Sequence, residues 1–228
     1  MFLRIANLLS DQQLAATRAA LESDRAPWVD GRVTAGHQSA RAKSNQQLDE
    51  ASAMARELGD LMIAQLERSP LFISAVLPFR VYPPVFNRYG EGMQFGTHVD
   101  GAIRQIPGTG QKLRTDLSAT IFLLPPESYG GGELVVENDF GAQQAKLAAG
   151  DMIVYTSTAR HRVSPVTRGS RIASVLWIQS LVRDDLRREQ LFELDRTIQQ
   201  LTAGSADAES LVRLTGHYHS LLRQWTEV

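Results

Sequence analysis

Between Leu71 and Val182 the chain breaks into eight or nine short β-rich runs separated by glycine and proline, and that cadence restricts the fold more than any other feature. The runs are Leu71–Leu77, Phe79–Tyr89, Thr97–Asp100, Leu117–Leu124, Gly132–Glu137, Gln143–Leu147, Asp151–Tyr155, His161–Val166 and Arg171–Leu181. Strands this short and this evenly spaced bury their apolar faces only against one another, which predicts a sandwich or barrel. Helical patterns flank them. Ser10-Asp11-Gln12-Gln13 is a capping box opening a helix that carries Leu14, Ala15, Arg18 and Leu21 and ends near Glu22. Ser44 to Arg68 places Leu48, Ala51, Met54, Ala55, Leu58, Met62 and Leu66 at helical spacing and predicts one long helix stopped by Ser69-Pro70.

After Arg183 helix formers return, with Leu186, Leu191, Leu194, Ile198 and Leu201 on one face. A break at Ala203-Gly204-Ser205 precedes a last helix through Leu211, Leu214, Tyr218, Leu221 and Trp225. The expectation is a single α+β domain over 1–228: a helical N-terminal flank at 1–70, a β-core at 71–182 and a C-terminal helical extension at 183–228. The terminal helices either pack on the barrel or mediate homo-oligomer formation. A chain of 228 residues can bury such a core without staples.

Composition limits the chemistry. With no cysteine, a disulfide framework, a zinc–thiolate site and a thiol nucleophile are all excluded, so metal or redox chemistry must use histidine and carboxylate ligands. A net charge of −1 gives no electrostatic footprint for nucleic acid or an anionic membrane. The apolar start at Met1–Leu9 is interrupted by Arg4 and Asn7, and no apolar run reaches the length of a membrane span. A soluble, cytoplasmic protein with no nucleic-acid or membrane partner is expected.

Five histidines therefore become the residues to weigh. His98 and Asp100 are two apart in a strand-like run, which puts both on one face, about 7 Å apart at Cα, able to converge on one ion. His161 follows at the start of a later strand, and Arg171 comes ten residues after it, beyond the turn Thr167-Arg168-Gly169-Ser170. Two histidines and a carboxylate occupy one face of an octahedral ferrous ion and leave the other positions for a co-substrate and oxygen. Arg171 can present a guanidinium fork to a carboxylate held away from the metal.

At these residues the chain resembles the Fe(II)/2-oxoglutarate-dependent dioxygenases of prolyl-4-hydroxylase type, and within them the bacterial PKHD-type hydroxylases associated with iron uptake. The resemblance spans nearly the whole chain. It is densest at Arg88-Tyr89 through His98-Val99-Asp100, at Arg114 to Thr120, Gly131 to Leu134, Gly150-Asp151, His161 to Val166 and Arg171 to Arg183. It implies a double-stranded β-helix (jelly-roll) core, His98, Asp100 and His161 as iron ligands, and Arg171 as the 2-oxoglutarate anchor. It also implies Tyr89 hydrogen-bonded to the co-substrate, Trp177 walling the pocket, L-ascorbate (vitamin C) as rescuer of oxidised iron, and release of succinate and CO2 as a small-molecule or peptidyl substrate is hydroxylated. Two readings from other classes remain at this stage: a cupin-like zinc or manganese enzyme, which leaves Arg171 without a purpose, and a non-catalytic binding module, which usually lacks a ligand.

Other residues have blander readings. His217 and His219 diverge on a helix, and His37 lies in a polar stretch. Gly101–Leu113 is expected to be a loop able to act as a lid, flanked by Arg104 and Arg114, which read first as solvated surface arginines and second as contacts for an anionic substrate. Gly130-Gly131-Gly132 is a tight turn, and Trp28, Phe72, Phe79 and Phe122 are expected in the core.

Overall fold

The computed structural model describes residues 1–34, 42–138, 141–204 and 207–227. In chain order the strands are β1 (Phe2–Ile5), β2 (Trp28–Asp30), β3 (Lys43–Ser44), β4 (Gln46–Leu48), β5 (Pro78–Val81), β6 (Val85–Tyr89), β7 (Gln94–His98), β8 (Ile103–Gln105), β9 (Lys112–Arg114), β10 (Leu117–Phe122), β11 (Gly130–Gly131), β12 (Leu134–Asn138), β13 (Gly141–Ala145), β14 (Met152–Thr156), β15 (Arg160–Val163), β16 (Val166–Arg168) and β17 (Arg171–Ser180). The helices are α1 (Asp11–Leu21), α2 (Ala53–Glu67), α3 (Pro70–Val76), α4 (Asp185–Ala203) and α5 (Ala208–Trp225).

A major antiparallel sheet runs β1-β14-β10-β17-β6-β4-β2, with β5 also on β17, and a minor sheet runs β13-β12-β15-β7-β3. This is the jelly-roll arrangement expected of the β-core. Side-chain alternation divides the work of the major sheet. Leu117, Ala119 and Ile121 of β10, with Ile172, Leu176 and Ile178 of β17, join Leu21, Leu58, Met62, Leu66 and Phe72 in the layer beneath the helices. The alternate residues Ser118, Thr120, Arg171, Val175 and Trp177 line a cavity on the other face. Between the sheets, Phe122, Leu134, Val136, Ala145, Ile153 and Tyr155 close one end.

Several expectations need correction. Leu71–Leu77 is not a strand but α3, because Ser69 Oγ accepts from the Phe72 amide, Pro70 takes the first turn and Leu77 ends the helix in a left-handed conformation (φ 47). A short apolar run does not by itself distinguish a strand from a buried helix turn. The helix expected from Ser44 starts only at Ala53, with the Ser52 hydroxyl accepting from the Ala55 amide at 3.1 Å. The residues ahead of it pair as strands, held by Asn45 Nδ2 to Asn87 Oδ1 at 3.1 Å and Arg88 Nε to Gln46 Oε1 at 2.8 Å. The 1–70 flank is therefore helical only in part: β1 edges the major sheet on β14, and β2 to β4 extend both sheets. Phe79–Tyr89 is two strands, interrupted at Tyr82-Pro83-Pro84.

Ser10 and Gln13 form the expected capping box of α1. Helices α4 and α5 pack on the body through Leu191, Tyr218, Leu221 and Trp225 around Leu77 and Val182. No helix among the described residues is long and apolar enough to cross a membrane. Phe72 and Phe122 are buried, whereas Trp28, under the Arg88 guanidinium, and Phe79 are half-buried. His37 lies outside the described residues.

Candidate active site

Strands β7 and β15 are antiparallel with His98 opposite His161, which brings the two rings to a centroid separation of 4.2 Å. Asp100, two residues beyond His98, completes a group whose three ligand atoms all lie within 4.8 Å of one another. His161 Nε2 stands 3.7 Å from Asp100 Oδ2. Each imidazole has its Nδ1 on a backbone carbonyl: His98 on Gly96 at 2.8 Å and His161 on Ala159 at 3.1 Å. A carbonyl only accepts, so Nδ1 carries the proton and Nε2 presents a lone pair. Burial, reinforced by the neighbouring His161, pushes His98 down to about 4, so its ring is neutral, the ligating form. Phe95 stacks on the His98 ring at 3.7 Å and fixes its plane.

The carboxylate is also held. Ser118 Oγ donates to Asp100 Oδ2 at 2.6 Å and lies 2.7 Å from Ser157 Oγ. A hard carboxylate oxygen and two imidazoles, fixed by secondary contacts and open to a cavity on one side, fit a ferrous ion.

Arg171, only 2% exposed, faces the same cavity. Its neighbour in register is Tyr89, whose ring lies 5.4 Å from the guanidinium, with Phe122 at 5.5 Å on another side. Arg171 Nε is buried without a hydrogen-bond partner, and no carboxylate forms an ion pair with Arg171 among the described residues. A buried cation in that state is costly until an anion arrives, so the site fits the carboxylate of a bound acid. Burial pushes the hydroxyls of Tyr89, Tyr129 and Tyr155 up, so all three remain protonated. Gly132 makes room: a Cβ there would stand 3.1 Å from Arg171 Cδ, at a φ of +69.

The cavity, of about 630 Å³, is lined by the triad, Arg171, Tyr89, Trp177 and Arg104. A roomier groove of about 760 Å³ between α2 and the Pro78–Pro84 segment, which Phe79 lines, contains none of these groups. Arg104 sits on the β8–β9 hairpin, the ordered form of the expected lid loop, with its guanidinium 3.6 Å from the Trp177 ring centre. Arg114 does not face the cavity: it donates to Asp116 at 2.7 and 3.0 Å and to Glu227 at 3.2 Å, tying the hairpin to the C-terminal end of the chain. His217 and His219 are exposed on α5. Instead of the expected tight turn of three glycines, Gly130 and Gly131 form the short strand β11, bulged where it pairs with β16.

Sequence reasoning missed Ser118, Ser157 and Lys43. Ser118 is recoverable from alternation along β10, where Ser118 and Thr120 are polar residues on one face of a wholly buried strand. Lys43 carries no periodic signal, because β3 is two residues long.

Residues 84–179 match the 2OG-Fe(II) oxygenase superfamily, and residues 185–227 match the PKHD-type hydroxylase C-terminal domain. A PKHD-type hydroxylase of Paraburkholderia phymatum is 56% identical over 227 residues, and one of Paraburkholderia phytofirmans is 57% identical over 227, each alignment covering 100% of both chains. Among solved structures, a prolyl hydroxylase from Trichoplax adhaerens in complex with a hypoxia inducible factor peptide fragment superposes with a TM-score of 0.54. It is 16% identical and covers 83% of this chain and 86% of that one, a likeness of fold. Identity above half along the full length, with both family segments in their places, means that the chain belongs to the PKHD-type hydroxylases, dioxygenases of the 2OG-Fe(II) oxygenase superfamily.

Proposed function

We propose that His98, Asp100 and His161 hold the Fe(II) on which this hydroxylase depends, and that Arg171, with Tyr89, binds the distal carboxylate of 2-oxoglutarate. The observation that carries this reading is a single cavity lined both by three converging ligand atoms and by a buried arginine whose Nε has no partner. When bound, iron and 2-oxoglutarate supply the oxidising chemistry: one atom of O2 goes to succinate, CO2 leaves, and the other atom hydroxylates the substrate.

The chain's own residues then have separate tasks. His98 and His161 offer Nε2 because their Nδ1 protons are given to backbone carbonyls. Ser118 keeps Asp100 turned toward the histidines. Arg171 orients the co-substrate by a charge-assisted fork, and Tyr89, kept protonated by burial, donates beside it. The β-walls exclude water from the reacting centre. L-Ascorbate returns iron to the ferrous state after turnover without substrate, and the enzyme works in the cytoplasm on a small-molecule or peptidyl substrate. A cupin-like role without 2-oxoglutarate would leave Arg171 a buried cation with no anionic partner among the described residues.

Succinate release from 2-oxoglutarate with Fe(II) under air tests the assignment. Wild type is expected to release succinate and Asp100→Ala to lose about 99% of that activity or more, as removal of one ligand of three implies. Full activity in Asp100→Ala would overturn the ligand set.

A further inference from the structure

The cavity that holds the triad has positive charge toward both ends of β17. Arg171 opens that strand and Trp177 lies six residues along it, so at about 3.3 Å per residue their Cα atoms are about 20 Å apart. Both line the cavity. At the Trp177 end the Arg104 guanidinium lies 3.6 Å from the indole ring centre and 4.8 Å from that of Tyr82. Lys43 lines the same cavity from the minor sheet, its Nζ donating to Gln47 Oε1 at 3.3 Å and standing 5.5 Å over Phe95, the ring stacked on His98.

Neither Arg104 nor Lys43 is in an ion pair with a carboxylate among the described residues. The nearby Glu50 carboxylate accepts instead from Gln47 Nε2 at 2.8 Å and the Tyr82 hydroxyl at 3.2 Å. Burial, followed by the Arg104 charge, lowers the Lys43 ammonium to about 8, against the raising effect of Glu50 and Asp30. Lys43 and Arg104 line one cavity and repel each other, Glu50 offsets that repulsion in part, and an anion shared between them would offset it further. The aromatic faces hold the Arg104 fork in place while its edge remains available for a bidentate partner.

Position separates this pair from the co-substrate anchor. Ser118, which holds Asp100, is directly opposite Trp177 in register, whereas Arg171 is opposite Tyr89. An anion on Arg104 therefore lies close to the triad at the far end of β17 from Arg171.

We infer that Lys43 and Arg104 form the anion-binding site for the prime substrate, and that the molecule hydroxylated here carries a carboxylate. The inference rests on the reading that iron sits on the triad and 2-oxoglutarate on Arg171. A free acid and an acidic side chain in a peptide both present this group.

The test uses full-length protein with Fe(II) and saturating 2-oxoglutarate, and reads succinate release against matched pairs. One panel is free aliphatic and amino acids with their carboxamides. The other is acetylated, amidated pentapeptides with one Asp or Glu, paired with the same peptides carrying Asn or Gln. At least one carboxylate is expected to raise succinate release above the substrate-free rate, with its amide partner needing about tenfold higher concentration, the loss of one charge-assisted fork. Arg104→Gln is expected to narrow that preference to about threefold or less, and Arg104→Lys, which keeps the charge without the fork, to retain part of it. Tryptophan fluorescence of the anaerobic complex, titrated with the same pairs, reads binding apart from turnover. Activity confined to the first panel identifies a free acid, and activity confined to the second an acidic peptide. Equal response to acids and amides overturns the site, as does silence of every carboxylate while substrate-free release is intact. A raised 2-oxoglutarate requirement in Arg104→Gln with unchanged acid preference overturns it too, since the pair would then serve the co-substrate. If wild type releases no succinate at all, the metal and co-substrate assignment falls, and the anion site with it.

Discussion

Ser118 Oγ donates to Asp100 Oδ2 at 2.6 Å, so one serine of the major sheet holds the carboxylate that follows β7 of the minor sheet. Ser118→Ala removes that bond and leaves Ser157 as the remaining hydroxyl nearby. Contacts of this kind are worth about 10–100-fold in metal affinity, so the Fe(II) dissociation constant measured anaerobically should rise by about tenfold or more while the folded structure, followed by circular dichroism, is retained. Unchanged affinity would mean that Asp100 does not depend on the serine for its orientation.

Arg171 and the triad line the same cavity but touch different ligands in this account. Arg171→Gln should raise the half-saturating 2-oxoglutarate concentration by about 100-fold, the loss of a buried charge-assisted pair, and leave the Fe(II) affinity of the protein without 2-oxoglutarate within about threefold of wild type. Unchanged co-substrate dependence would remove Arg171 from the anchor role.

Gly132 has a φ of +69 and stands where a Cβ would meet Arg171 Cδ and the Tyr129 ring at 3.1 Å. Gly132→Ala should cost about 1–3 kcal/mol of stability from backbone strain alone, read by urea unfolding. It should also raise the 2-oxoglutarate requirement more than it weakens iron binding, because the displaced side chain is the arginine.

Lys43 pays for its position in stability. Folding lowers its pKa from 10.5 to about 8, so the unfolded chain binds this proton more tightly. The group's contribution to stability is fully present above pH 10.5 and is lost as pH falls through 8. At pH 7 Lys43→Met should therefore be more stable than wild type, by at most about 3 kcal/mol, and the gap should close as pH rises to about 10.5. Thermal midpoints of the two proteins across that range check this, and a constant gap would contradict it.

How much was legible depends on the range of the forces involved. Trp177 shares a face with Arg171 because strand periodicity is local, whereas Asp100 lies just beyond β7 and is turned to His98 by Ser118 rather than by strand alternation. The meeting of His98 with His161 is a matter of register between β7 and β15, which no local pattern in either strand fixes. What escaped was set by tertiary pairing. Ser44–Leu48 has helical spacing but is drawn into strands by partners such as Asn87 and Arg88. Met1–Leu9 offered a short apolar start, and its use as an edge strand depends on β14, a segment some 150 positions away. Arg114 reads as a solvated arginine or a substrate contact because it flanks the loop; Asp116 is its local partner, and only the folded chain brings Glu227 to it.

In the proposed function one cavity holds Fe(II) on His98, Asp100 and His161 together with 2-oxoglutarate on Arg171. Anaerobic titration of the protein with Fe(II) and then 2-oxoglutarate, followed by visible absorption, measures both at once. Wild type should develop a weak charge-transfer band that saturates at one iron per chain and needs both additions. Asp100→Ala should show no band at these concentrations, and Arg171→Gln should show it only at much higher 2-oxoglutarate. A wild-type protein that binds zinc normally yet gives no band with Fe(II) and 2-oxoglutarate would mean that the cavity does not hold the two together.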